Sequence, residues 1–84
     1  MATKIDVNIH DFSKRFQKEY DFLYNHGNND EYSFGFDEAV TAFDRCMEEE
    51  NFKNFVCEFV SYRGDYLTSD RECAAFMFAL VDMI

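Results

Sequence analysis

"SDRECAAFMFALVDM", residues 69–83, is the stretch that decides the fold, because it combines a strong helix start with a long apolar run. Ser69 followed three residues later by Glu72 is a capping box, in which each side chain accepts a hydrogen bond from the other residue's backbone N–H. The nine residues after Glu72 are all apolar. A helix that is apolar on every side lies in the middle of a domain or completes a partner's interface. We therefore predict a buried helix over 70–83.

Three earlier segments carry apolar residues at the three- and four-residue steps of a helix, which predicts helices over about 9–25, 37–50 and 52–62. Asn8 or Asp11 is expected to cap the first and Asp37 the second, while Gly27 and Gly64 are expected to end the first and the third. The segment 52–62 is rich in β-branched and aromatic residues, so a strand there stays an alternative. The predicted inward-facing residues are Ile9, Phe12, Phe16, Tyr20 and Leu23 in the first helix, Phe36, Val40, Phe43 and Met47 in the second, and Phe52, Phe55, Val56, Phe59 and Val60 in the third.

Two short alternating patterns compete with this all-helical assignment. Ile5, Val7 and Ile9 alternate with polar residues, as do aromatic residues near position 34, so one or two short strands are predicted around 4–9 and 31–36. An 84-residue chain has the length of a single domain, 1–84, and its 11 Phe and 5 Tyr supply the apolar surface for one core. The predicted class is mainly α, a compact four-helix domain, with α+β as the alternative if the strands form.

The cysteines and the apolar runs bear on where the protein resides. Cys46, Cys57 and Cys73 have spacings that fit neither a disulfide framework nor a metal-binding Cys-x-x-Cys pair, so we expect buried thiols in a reducing compartment. The N-terminus has no apolar signal-peptide core. The longest apolar run is far shorter than the roughly 20 residues that a membrane-spanning helix needs. We expect a cytoplasmic protein with no membrane association.

The charge of the chain is strongly negative and unevenly distributed. The formal net charge is −9, and residues 1–29 are balanced, whereas residues 30–50 hold eight acids and only Arg45. Direct nucleic-acid binding is disfavoured, because its affinity depends on Lys and Arg contacts to phosphates. A basic protein partner is the one that such a charge attracts.

The acids concentrate in "FDEAVTAFDRCMEEEN", residues 36–51, which holds six carboxylates and one arginine. Helical spacing places the apolar stripe inward and the acids outward. Glu48–Glu50 are expected at the C-terminal end of the second helix, where the macrodipole disfavours negative charge. Two interpretations stay open: an ordinary solvated face, or a face for a basic partner. The candidate partner-binding residues are Asp30, Glu31, Asp37, Asp44, Glu48, Glu49 and Glu50.

No other motif predicts chemistry. The sequence lacks the nucleophile, zinc-protease, P-loop and dinucleotide motifs, and its acids do not match a calcium-binding loop, so we expect no enzyme activity, catalytic residue, metal or cofactor. His10 and His26 lack a zinc-ligand partner four residues on. Arg63-Gly64-Asp65 resembles the integrin-binding tripeptide, but a helix end followed by a turn is the favoured interpretation.

Two further surface features have no assigned role. Lys14, Arg15 and Lys18 form a basic patch that is expected to pair with the second helix or with acids of a second copy. Four tyrosines near element ends are typical both of binding hot spots and of core rims, and the sequence does not separate these interpretations. They are Tyr24, Tyr32, Tyr62 and Tyr66.

In size, acidity, aromatic content and lack of motifs, the whole chain resembles the small phage-encoded anti-CRISPR proteins. That resemblance implies an inhibitor in the bacterial host cell that binds a CRISPR effector complex at a basic surface meant for DNA. The alternative is a small helical interaction or regulatory module, homodimeric through its apolar C-terminal helix, so the protein is expected to be a monomer or a homodimer.

Overall fold

Four α-helices make up the regular structure of the computed structural model, which describes residues 5–26 and 35–84. They are α1 (Ile9–His26), α2 (Phe36–Cys46), α3 (Glu50–Arg63) and α4 (Asp70–Met83). The mainly α, four-helix prediction is therefore confirmed. None of the helices in these two ranges is long and apolar enough to cross a membrane.

Neither predicted strand is present in the described residues. Residues 5–8 have no regular secondary structure, and Ile9 already belongs to α1. Ile5 and Val7 pack against the helical core, which uses their apolar surface without a partner strand. The second predicted strand, 31–36, lies outside the described residues except for Gly35, the N-cap of α2, and Phe36, its first residue.

The strand alternative for 52–62 is wrong, because the segment is helical. Its buried residues are Phe52, Phe55, Val56 and Phe59, which recur at steps of three, one and three and so share one helix face. Packing along that face outweighs the β propensity of the individual residues. Gly64 ends α3 as predicted, with a left-handed φ of 73° and its N–H donating to Val60 O at 2.9 Å.

The second helix is shorter than predicted. It ends at Cys46, and Met47–Glu49 form a turn before α3. Glu48 N–H donates to Arg45 O at 3.1 Å and Glu49 N–H donates to Cys46 O at 2.8 Å. These hydrogen bonds join residues three apart, as in a 3₁₀ turn, and they end the helix.

Two helix starts also bear on the sequence predictions. Asn8 caps α1 by accepting a hydrogen bond from Asp11 N–H at 3.0 Å, as predicted. Asp37 was predicted to cap α2, and this prediction is wrong. Gly35 is the N-cap there, and its N–H donates to the Glu38 carboxylate at 3.2 Å.

The core is a cluster of phenylalanine rings around α4. Helix α4 packs against α1 and α2, and residues 74–80 are all buried, as predicted for a central helix. Phe76 is fully buried, and its ring centre lies 4.9–5.8 Å from five other rings. These are Phe12 of α1, Phe43 of α2, and Phe52, Phe55 and Phe59 of α3. One side chain of α4 therefore joins all four helices.

The carboxylate of Glu72 organises the connection between α3 and α4. The predicted capping box is present, with Glu72 N–H donating to Ser69 Oγ and Ser69 N–H donating to Glu72 Oε1, both at 3.2 Å. Thr68 N–H and Oγ1 also donate to Oε1, and Arg63 lies 3.1 Å from Oε2. Burial by itself raises the pKa of Glu72, but hydrogen bonds from Thr68, Arg63 and Ser69 outweigh it and leave the pKa below its usual value.

Candidate acidic interface

The outer side of α2 carries the first part of the acidic face. Asp37 and Asp44 are seven residues apart, so they lie on the same side of the helix and about 10 Å from each other along its axis. Both are exposed, as predicted, while Ala39 and Phe43 face the core. Ala39 was missing from the predicted stripe, in which Phe36 and Val40 are only half-buried.

The glutamates that follow occupy a different electrostatic position from the predicted one. Glu48 lies in the turn, Glu49 is the N-cap of α3, and Glu50 is the first residue of α3. The positive end of the α3 dipole favours negative charge at Glu49 and Glu50. The predicted folding cost of three glutamates at a helix C-terminus is therefore wrong for these two residues. All three side chains are exposed.

The structure adds Asp70 to this face. Burial and the nearby charges of Asp44, Asp70 and Glu72 raise the pKa of the Cys73 thiol to about 11. Asp44 on α2 and Asp70 on α4 therefore both lie close to this thiol. Asp70 is exposed and extends the acids of α2 across to the start of α4. Its place at the capping box was visible in the sequence, but its proximity to α2 depends on how the two helices pack.

We use the name acidic face for Asp37, Asp44, Glu48, Glu49, Glu50 and Asp70. Asp30 and Glu31, the other two predicted binding residues, lie outside the described residues. Within the described ranges, ion pairs occur only at Arg15 and Arg63, so no member of the acidic face is neutralised by one.

Two of the described cations, Arg15 and Arg63, pair with carboxylates outside this face. Arg15 of the predicted basic patch pairs with Glu19 at 2.6 Å and with Asp82 of α4 at 3.4 Å, and not with α2, which was one of its two predicted partners. Arg45 lies beside the face, where it lines an open groove of about 370 Å³ on the outer side of α2 together with Asp37 and Glu38. Lys53 is exposed in α3, one helical turn after Glu49 and Glu50. The acidic face therefore keeps a strong excess of negative charge.

The cysteine spacing led to predictions about both metal binding and the three thiols, and the described residues bear on each of them. No group of three or more His, Cys, Asp or Glu side chains there is placed to hold a metal ion. Cys46 and Cys73 are half-buried, and burial together with the charge of Glu49 also raises the pKa of Cys46. Cys57 is exposed on α3, so the prediction that all three thiols are buried is wrong for this residue. Cys57 is on the outer side of α3, next to the exposed Glu58, whereas the helix buries Val56 and Phe59.

The arginine of the integrin-like tripeptide is used by the fold. The guanidinium of Arg63 lies 5.1 Å from the Phe16 ring centre and 5.6 Å from that of Phe59, and it pairs with Glu72. It is half-buried, so the tripeptide does not present a free arginine. Arg63-Gly64-Asp65 is a helix end followed by a turn, as predicted.

Tyrosines, in contrast, are prominent on the surface. Tyr24, Tyr62 and Tyr66 are 66%, 48% and 73% exposed. Tyr62 contacts His10, its hydroxyl lying 2.8 Å from His10 Nδ1. Tyr32 lies outside the described residues.

Comparisons with known proteins add no assignment to this geometry. No protein-family model matches the chain, and no curated protein or solved structure matches it either.

Proposed function

We propose that the protein is a non-enzymatic inhibitor whose acidic face binds a basic, nucleic-acid-handling surface of another protein. One observation carries the proposal: six exposed carboxylates extend over α2, the α2–α3 turn and the start of α4, and none has an ion pair among the described residues. A protein surface that places Lys and Arg side chains against this face neutralises charges that the fold leaves open.

The overall charge supports the same partner. The net charge of −9 attracts a basic surface and speeds association with it, while it repels nucleic acid. At physiological salt the Debye length is about 8 Å, so the carboxylates nearest to the partner dominate the attraction. The acidic face concentrates such carboxylates, whereas α1 carries acids and bases in balance.

The resemblance to anti-CRISPR proteins names the kind of partner. CRISPR effector complexes hold nucleic acid in a positively charged channel. Carboxylates on a helical surface can occupy part of such a channel and exclude target DNA. The proposed site of action is then the cytoplasm of the bacterial host cell.

The alternative, a homodimer through the C-terminal helix, needs apolar surface on that helix, and the described structure leaves little of it exposed. Residues 74–80 of α4 are buried within one copy of the chain. Only Val81 and Ile84 are exposed large apolar residues at this end of the described structure. A standard interface buries about 800 Å² on each partner, which two side chains do not supply.

Charge reversal with a matched control tests the proposal. Asp44, Glu48 and Glu49 are changed together to Lys, and a control variant carries Lys at Asp6, Asp21 and Glu58, which are exposed and outside the acidic face. Both variants have the same net charge, so a difference between them reports the location of the charge. Each tagged protein is used to capture partners from nuclease-treated bacterial lysate, and the affinity of a captured protein is then measured.

We expect the first variant to bind its partner on the order of 100-fold more weakly than the control variant, because three exposed attractions become repulsions. Circular dichroism should show both variants folded. Equal binding by the two variants would show that total charge, and not the acidic face, determines the interaction. Unchanged binding of the first variant would refute the proposal.

A further inference from the structure

Arg71 lies against two tyrosines of α1 on a side of α4 that the acidic face does not use. Its guanidinium carbon is 4.9 Å from the ring centre of Tyr24 and 5.9 Å from that of Tyr20. Attraction between a cation and the face of an aromatic ring holds the guanidinium in place. Two thirds of Tyr24 is exposed, so this arrangement is accessible from solvent.

Tyr20 and Tyr24 are four residues apart in α1, so both rings lie on one side of that helix, where Arg71 of α4 meets them. We name Tyr20, Tyr24 and Arg71 the tyrosine–arginine surface.

Arg71 has hydrogen-bonding capacity that the described structure does not use. It makes no ion pair or hydrogen bond within residues 5–26 and 35–84, whereas Arg15 and Arg63 both pair with carboxylates. A guanidinium that stacks through its faces keeps its N–H edges available for a bidentate contact. Asp70, its neighbour, lies about 100° round the helix on the α2 side, near Cys73.

The position of Arg71 in its helix also favours a role outside α4. Arg71 follows the first residue of the helix, where the macrodipole disfavours a cation. Arg71 is not needed to cap the start of α4, because Ser69 and Glu72 already form the cap.

We propose that the tyrosine–arginine surface binds a protein segment in which a carboxylate stands next to an apolar side chain. The carboxylate fits the N–H edge of the Arg71 guanidinium, which has no hydrogen bond or ion pair among the described residues, and the apolar side chain fits the exposed ring of Tyr24. Charge complementarity selects the carboxylate, and Tyr and Arg in fixed positions are the residues that most often carry binding energy at interfaces. This inference goes beyond the acidic face and does not depend on it.

Nuclear magnetic resonance titration of the full chain tests the inference. The probe is acetyl-glutamyl-phenylalanine amide, and its control is acetyl-glutaminyl-phenylalanine amide, which differs only in the carboxylate. We expect the glutamyl probe to shift the Arg71 Nε–H resonance and the amides around Tyr24, and the glutaminyl probe to bind about fivefold more weakly. The variant Arg71→Gln should lose the same fivefold, while the matched variant Arg45→Gln on the outer side of α2 should bind like the unmodified protein.

Three outcomes would overturn the inference. They are equal binding of the glutamyl and glutaminyl probes, no shift at Arg71 with either probe, and a stronger shift with a ten-residue oligothymidine, which would assign the surface to phosphates. The comparison of the two probes uses the unmodified protein, so it remains decisive even if Arg71→Gln disturbs the fold.

Discussion

Phe76 offers the sharpest test of how this domain is held together. Its ring is fully buried and lies within 4.9–5.8 Å of five phenylalanine rings that come from the other three helices. Replacing a buried Phe by Ala costs about 3–5 kcal/mol, because it removes apolar surface and leaves a cavity. A chain of this length has a free energy of unfolding of roughly 4–13 kcal/mol. Phe76→Ala is therefore expected to remove between about a quarter and all of the free energy of unfolding at 25 °C.

A milder change keeps the measurement quantitative. Phe76→Leu retains most of the apolar volume and loses the edge-to-face ring contacts, so we expect a loss of about 2 kcal/mol. For a domain of this size that loss lowers Tm by about 8–16 °C. Phe36→Leu, at a half-buried position at the start of α2, is the matched control and should cost less than about 1 kcal/mol.

Urea denaturation followed by circular dichroism gives both free energies of unfolding. If Phe76→Leu and Phe36→Leu were equally destabilising, Phe76 would not be the side chain that joins the four helices.

Three further predictions concern the α3–α4 connection and the thiols. Because the folded-state pKa of Glu72 lies below its unfolded value, its stabilisation is present above about pH 4.3 and is lost as the pH falls through the folded-state pKa. Glu72→Gln should therefore lower the free energy of unfolding by about 1–3 kcal/mol at pH 7. The difference in this free energy between the unmodified protein and the variant should narrow in thermal melts at acid pH. A difference that is independent of pH would contradict the role of the Glu72 charge. Gly64→Ala should cost about 1 kcal/mol in urea denaturation through its left-handed φ alone, since an added Cβ has nothing within 4 Å, and an unchanged midpoint would contradict this. Cys57 should react with a thiol reagent at pH 8 well before Cys73, whose pKa is about 11, and the reverse order would contradict the burial of Cys73.

The parts of the fold that local chemistry determines could be predicted from the sequence. The capping box at Ser69 and the glycine at 64 set the start of α4 and the end of α3, and both were assigned correctly. The end of α2 was not, because the apolar spacing continues through Met47. The chain turns there so that Phe52 of α3 packs 5.5 Å from Phe43 of α2, and that contact is not a local property.

The same distinction applies to the candidate sites. The exposure of Asp37 and Asp44 followed from helical spacing alone. The prediction that Glu49 and Glu50 lie at the unfavourable end of the α2 dipole was wrong, because it placed the end of α2 at residue 50 rather than at Cys46. Asp70 and Arg71 were missed as surface features, since their neighbours come from α2 and α1, and no sequence pattern shows which helices pack together.

Competition for the partner's basic surface tests the central claim most directly. A fluorescently labelled DNA is bound to the captured partner, and the protein is added while fluorescence anisotropy is followed. If the acidic face occupies a surface meant for nucleic acid, the protein releases the DNA, and its apparent Kd rises in proportion to the DNA concentration. The control variant should also release the DNA, whereas the variant in which Asp44, Glu48 and Glu49 are changed to Lys should not. Simultaneous binding of DNA and protein to the partner would contradict it.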